Sequence, residues 1–177
     1  GALAPGLGYK VPDMESWSIE LEKEYFKFSA AHFLIFPDGT AERLHGHNYR
    51  VFVEIDATLC EHGLVIDFKE IKPVIRELLD SLDERLLIPG EHPVLTHADR
   101  GDGVVEIRYL DRYYAAPVED VLIMPMNNTS SENLATWIGR EVRRLLQAQF
   151  GQVETRRLRV AVEETSGQRG VYRYSDS

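Results

Sequence analysis

HGHNYRVFVEIDATL, residues 45–59, is the stretch on which the fold turns. Its period is two. His45, His47, Tyr49, Val51, Val53 and Ile55 share one side, while Asn48, Arg50, Glu54 and Asp56 share the other. Alternation of this kind is the mark of a half-buried strand. Upstream, WSIELEKEYFKFSAAH (17–32) reads as a second long strand. Its apolar set changes parity from Trp17, Ile19 and Leu21 to Phe26, Phe28 and Ala30, so a bulge is expected near 22–25. Pro37-Asp38-Gly39 places a loop at 36–43 between the two.

Downstream, Glu61-His62-Gly63 reads as a turn and 67–82 as a helix, with Asp67 as its N-cap and Pro73 as a defect that shifts its start or bends it. Residues 83–128 are irregular: VVEIRYLDRYYAAP predicts a hairpin turning near Leu110-Asp111, followed by a short strand at 121–124. In NTSSENLATWIGREVRRLLQAQF, Thr129 and Glu132 fit a capping box. Leu134, Trp137, Ile138, Val142, Leu145 and Leu146 then recur at helical spacing up to Gly151. Strands at 153–164 and 170–174 close the chain. The order β-β-α-(insertion)-α-β-β predicts an α+β fold, an antiparallel sheet with its helices on one face.

With 177 residues, 44% apolar and 28% charged, the chain has the profile of one globular domain, expected over 17–177 behind a flexible tail at 1–16. A net charge of -9 argues against nucleic acid as partner, since phosphate neutralisation needs clustered Lys and Arg. Apolar runs fall short of the ~20 residues of a membrane span. Cys60 is the single cysteine, which rules out an intrachain disulfide and a Cys-rich zinc finger. Together with the lack of a secretory signal pattern in the first residues, this points to a cytoplasmic protein.

Chemistry concentrates at His45-Gly46-His47. Two residues apart on a strand, both imidazoles point the same way and lie under ~7 Å apart. His32 ends the first strand on the parity of Phe28 and Ala30, so a hairpin brings a third imidazole beside the pair, the donor set of a catalytic zinc site with an open fourth position. Against this stands the commoner fate of a histidine on an apolar face, a satisfied core residue. Glu164 continues the apolar row Leu158, Val160 and Val162, where an unpartnered carboxylate is costly. A planar ligand offering two adjacent N–H groups would satisfy it, as would water at a strand end. Glu163, on the other parity among Arg157 and Arg159, reads as a surface charge. Glu42, three residues before His45, is a candidate general base or simply a loop acid beside Arg43.

FSAAHF (28–33), ERLHGHNY (42–49), GLVIDFKEIK (63–72), LDERLL (82–87), NTSSENLA (128–135) and VEETSGQRGVYRY (162–174) occur in the order seen in the 6-pyruvoyltetrahydropterin synthase / 6-carboxytetrahydropterin synthase family, which this sequence resembles over roughly 17–174, least well in an insertion around 90–122. The resemblance implies the tunnelling fold: a four-stranded antiparallel sheet with two helices on one face. Three subunits close a barrel and two trimers stack into a homohexamer with active sites between subunits. It implies a Zn2+ ion on His32, His45 and His47, a pterin held by the carboxylate of Glu164, and Thr129 and Thr165 near the ring.

The chain also departs from the family pattern. No cysteine lies in 33–44, where the family's catalytic cysteine is expected, and Glu42 stands in an ExxHGH arrangement instead. Asp83, the acid of the family's Asp-His pair, is followed by Glu84, leaving His92 or His97 as the imidazoles of the insertion. This looks like the glutamate-bearing branch, which cleaves the side chain of 7,8-dihydroneopterin triphosphate to 6-hydroxymethyl-7,8-dihydropterin for folate synthesis. A carboxylate base suits plain carbon–carbon cleavage better than the rearrangement to a pyruvoyl product. The alternatives are 6-carboxytetrahydropterin formation on the way to deazapurines such as queuosine, 6-pyruvoyltetrahydropterin formation, a non-catalytic pterin- or purine-binding member, and a zinc hydrolase on an unrelated fold.

Overall fold

The computed structural model describes residues 15–176. The tail expected at 1–16 lies, through residue 14, outside the described residues. The long strand of the HGH segment is β3, His45–Ala57. The bulge expected upstream is wide enough to make two strands, β1 Trp17–Leu21 and β2 Lys27–His32. Both pair antiparallel with β3, β1 opposite residues 53–57 and β2 opposite residues 45–50. Between them a turn closed by Phe26 N–H on the Lys23 carbonyl (2.9 Å) absorbs the change of parity.

The last two strands, β9 Thr155–Thr165 and β10 Gln168–Ser175, form a hairpin laid on the other side of β3, with Arg50 opposite Glu163 and Val51 opposite Val162. This is the predicted antiparallel core. The sheet is nevertheless larger than four strands and mixed. Arg85–Pro89 (β4) adds parallel to β2, and Val121–Met124 (β8) adds parallel to β4, giving the order β10-β9-β3-β2-β4-β8, with β1 on β3. Between β4 and β8 the chain builds a separate three-stranded sheet from β5 Thr96–Asp99, β6 Val104–Tyr109 and β7 Arg112–Pro117, in which Leu110 (φ 50°) and Asp111 turn the expected hairpin.

Two helices cover one face of the main sheet. Helix α1, Phe68–Asp80, starts at Asp67, whose carboxylate accepts from Lys69 N–H. Pro73 lies inside it without ending it: the carbonyl deprived of a partner is that of exposed Lys69, within reach of water. Helix α2, Ser131–Gln149, is capped by Ser130, whose Oγ accepts from Asn133 N–H at 3.2 Å. The Thr129–Glu132 capping box is thus displaced by one residue, and Thr129 is freed for the interior.

The main core lies between this face and the helices. It gathers Phe28, Tyr49, Val51, Val53, Ile55, Val160 and Val162 from the strands against Ile71, Ile75, Leu134, Ile138 and Val142. A second core under the inserted sheet joins Phe33, Ile35 and Ile88 to Ile107 and Tyr109. Glycines set how closely α2 approaches. A Cβ on Gly170 of β10 would stand 2.3 Å from Glu132 N, and one on Gly139 would stand 2.2 Å from the Tyr172 ring. The start of α2 therefore lies directly on the β9–β10 hairpin.

Candidate metal centre and pterin site

Register brings the three histidines together. His32 pairs with His45 across the β2–β3 ladder and Ala30 with His47. All three side chains share the helix-covered face with Tyr49, and their ring centroids lie 4.7 to 5.2 Å apart. One nitrogen from each falls within 4.8 Å of the others, a cluster that a small turn of the rings would close onto one ion.

Hydrogen bonding fixes which nitrogens face the hollow. His32 Nδ1 lies 2.7 Å from the Thr129 carbonyl, and His45 Nδ1 lies 2.7 Å from the Arg43 carbonyl. A carbonyl only accepts, so each Nδ1 carries the hydrogen and each Nε2 presents a lone pair. This is the arrangement by which backbone partners orient metal-binding imidazoles. Burial lowers the His32 pKa below its usual value, against smaller raising effects from the Thr129 carbonyl and Glu164, and so favours the neutral ligand form.

Glu164 enters the same hollow from β9. Its Oε1 stands 3.2 Å from both His32 Nε2 and His47 Nε2. Those two nitrogens are buried and have no hydrogen-bond donor. The His32 lone pair and the carboxylate repel each other at that distance until a cation or proton joins them. The residues present fit a bound metal ion.

Thr129 is completely buried at the foot of α2, its hydroxyl 3.5 Å from the Phe33 carbonyl; its backbone holds His32. Thr165 lies at the exposed β9 end and donates to Gln168 Oε1 at 3.0 Å. Glu42 is half-buried on the loop before β3. Its Oε1 accepts from Leu34 N–H (2.9 Å), and its own N–H donates to the Leu34 carbonyl (2.9 Å). Burial, with smaller effects from the charges of Glu164 and Glu42, raises the pKa of Tyr49.

Other candidates stand apart from it. Asp83 Oδ1 accepts from Ser29 N–H at 2.8 Å, and Glu84, at φ 57°, donates its N–H back to the Ser29 carbonyl, so residues 83–84 hook onto the β2 edge. His92 Nδ1 accepts from Val94 and Leu95 N–H and its ring packs on Tyr109, which makes it a turn residue; His97 is exposed on β5. Glu163, read as a surface charge, is buried. Its carboxylate accepts from Arg169 Nε at 2.8 Å, and that guanidinium lies 3.8 Å over the Phe52 ring. Parity separated it correctly from Glu164 but could not reveal a cover supplied by the neighbouring strands.

Known proteins resemble this chain in sequence and in fold. Residues 20–175 match the model of the 6-pyruvoyl tetrahydropterin synthase family. A relative from Methanocaldococcus jannaschii, carrying the provisional name 6-carboxy-5,6,7,8-tetrahydropterin synthase, is 33% identical over 149 residues, which are 83% of this chain and 89% of that protein. The 6-carboxy-5,6,7,8-tetrahydropterin synthase of Haemophilus influenzae is 37% identical over 73 residues, 38% of this chain and 51% of that one. Among solved structures, 6-pyruvoyl tetrahydropterin synthase from Plasmodium vivax superposes with a TM-score of 0.84 at 26% identity, covering 91% of this chain and 99% of its own. Two further structures of that enzyme, at 25% identity, are described as catalytic-residue mutants in which a glutamate is replaced by alanine or by cysteine. With its tunnelling fold and its histidine-lined hollow, the chain belongs to the 6-pyruvoyl tetrahydropterin synthase family.

Proposed function

We propose that this protein is a zinc-dependent lyase that acts on the side chain of 7,8-dihydroneopterin triphosphate. The observation that carries the reading is the meeting, on one hollow, of three imidazoles with the carboxylate of Glu164, two of their nitrogens being buried without a donor. Three imidazoles with a fourth position open suit Zn2+, and the ion would supply Lewis-acid polarisation of the substrate's side-chain hydroxyls. Glu164 accepts from the pterin N3–H and 2-amino group through its two oxygens. Thr129 holds His32 in its ligand tautomer, and Thr165 borders the ring at the end of β9. Glu42 is the proton acceptor: one oxygen is fixed on Leu34 N–H and the other is left to the substrate. We place the working enzyme as the homohexamer implied by the resemblance, supported by the two sheet edges that β8 and β10 leave at the ends of the strand order. Asp83, held at a strand edge of its own chain, is then read as serving a neighbouring protomer.

For the product, the curated relatives' names favour 6-carboxy-5,6,7,8-tetrahydropterin, which is the first reading. A specific observation favours the second, 6-hydroxymethyl-7,8-dihydropterin: a glutamate and no cysteine precedes the histidine pair, and the P. vivax enzyme is described with a catalytic glutamate. Mass analysis of the pterin formed from dihydroneopterin triphosphate by the zinc-loaded protein separates the two. Recovery of unchanged substrate at full metal occupancy would replace both with a binding role. Glu42→Gln is expected to lower kcat at least 100-fold; turnover at the wild-type rate removes Glu42 as the base.

A further inference from the structure

The inserted sheet, β5 to β7, reaches back to the loop that carries Glu42. Three of its residues make the junction. Tyr109 donates its hydroxyl to the Gly39 carbonyl at 2.6 Å. Arg112, the first residue of β7, donates Nη2–H to the Ala41 carbonyl and Nη1–H to the Glu42 carbonyl, both at 2.8 Å. Tyr114 stacks on Phe33, the neighbour of His32, with ring centroids 5.1 Å apart, and its hydroxyl lies 3.3 Å from Arg112 Nη1.

The loop needs such a brace. Between β2 and β3 its own ladder is a single bridge, Ile35 with Ala41, around a tight turn at Gly39 (φ 86°). From the other side Asn128 pairs with both backbone groups of Ile35 (3.1 and 3.0 Å). Arg112 and Asn128 thus clamp the loop on its two limbs, and only the Arg112 contacts fall on the Glu42 limb.

We infer that Arg112 is the positioning residue of Glu42: its guanidinium fork fixes two successive carbonyls, so the carboxylate is presented to the hollow in one orientation. The inference rests on the reading of Glu42 as proton acceptor. A planar fork is required, because two adjacent acceptors are met by parallel N–H groups at fixed spacing, whereas a lysine ammonium meets one carbonyl at a time. The inserted sheet is then part of the catalytic apparatus, acting through the backbone.

The test uses the full-length, zinc-loaded protein with dihydroneopterin triphosphate. Arg112→Ala is expected to lower kcat about 10- to 100-fold, with KM within about twofold and zinc content unchanged, since misplacing a reacting group by about 1 Å costs on that order. Arg112→Lys is expected to retain no more than a tenth of the activity, and guanidinium ion added at millimolar concentration is expected to restore several-fold activity to Arg112→Ala and none to Arg112→Lys. Hydrogen exchange of the peptide spanning 34–44 gives a readout independent of turnover, and should quicken at least tenfold in Arg112→Ala. Wild-type kcat together with wild-type exchange in Arg112→Ala overturns the inference, as does a loss explained by zinc release or matched by an equal loss of kcat in Arg108→Ala, which leaves the loop untouched. Glu42→Gln, measured alongside, separates the two ideas: an active Glu42→Gln removes the base, whereas an inactive Glu42→Gln beside a fully active Arg112→Ala removes only the brace.

Discussion

At the scale of single residues, the hollow is defined by where hydrogens are not. His32 and His45 each spend Nδ1–H on a backbone carbonyl, which leaves Nε2 nothing to donate, and Glu164 is an acceptor as well. Glu164 has two possible partners there, the ion and the pterin edge, and substitution distinguishes them. Glu164→Gln keeps the shape but exchanges one acceptor for a donor. The expected outcome is a KM for dihydroneopterin triphosphate raised at least tenfold with one zinc per chain still bound, checked by steady-state kinetics and elemental analysis. A zinc content that fell with the substitution would instead make Glu164 a ligand. His45→Ala, in contrast, is expected to release the metal, because two remaining imidazoles do not complete the set. The three histidines and Glu164 were legible beforehand because a period of two assigns each side chain to a face without further information. Arg112 was not legible, since its partners are carbonyl oxygens, which every residue carries and no spacing betrays.

At the scale of elements, the seat of α2 decides the site's geometry. The helix begins one residue later than a capping box at Thr129 would require, and that single step turns the Thr129 carbonyl toward His32. Ser130→Ala removes the cap and is expected to cost about 1 kcal/mol of unfolding free energy, read from urea titration of the metal-free protein. Gly170→Ala should cost more, roughly 2–3 kcal/mol, because the added carbon meets the backbone of Ser131 and Glu132 and not a side chain able to move. It is also expected to weaken zinc binding, since α2 must shift with Thr129. The central strands, both helices and the hairpin at Leu110 could be read from periodicity. β4 could not: RLLIP is five residues with no alternation to reveal a strand, and its two neighbours are parallel strands brought in from elsewhere in the chain.

At the scale of the whole molecule, acidity links stability to the metal centre. Burial holds the pKa of His32 below the ordinary 6.5, so between that value and the lower folded-state value the unfolded chain binds more protons than the folded one. The stability contributed by neutral His32 is therefore complete above pH 6.5 and is lost as the pH falls through the folded-state pKa. The expected outcome is a melting temperature of the metal-free protein that declines on acidification below pH 6.5, and that becomes less pH-dependent in His32→Gln. Zinc occupancy should fall over the same range, since the proton competes for the same nitrogen. Among the described residues no helix is long and apolar enough to cross a membrane.

The hollow is also a record of the order in which the polypeptide emerges. Its three imidazoles lie within sixteen positions, on a hairpin complete before residue 60, whereas the carbonyl that orients His32 lies 97 positions further on and Glu164 is further still. The three imidazoles are therefore made long before both of their later neighbours: His45 has its Arg43 carbonyl from the start, whereas His32 gains its partner only with residue 129. On the zinc reading proposed above, a chain that stops short of residue 129 would hold the ion more weakly than the finished one.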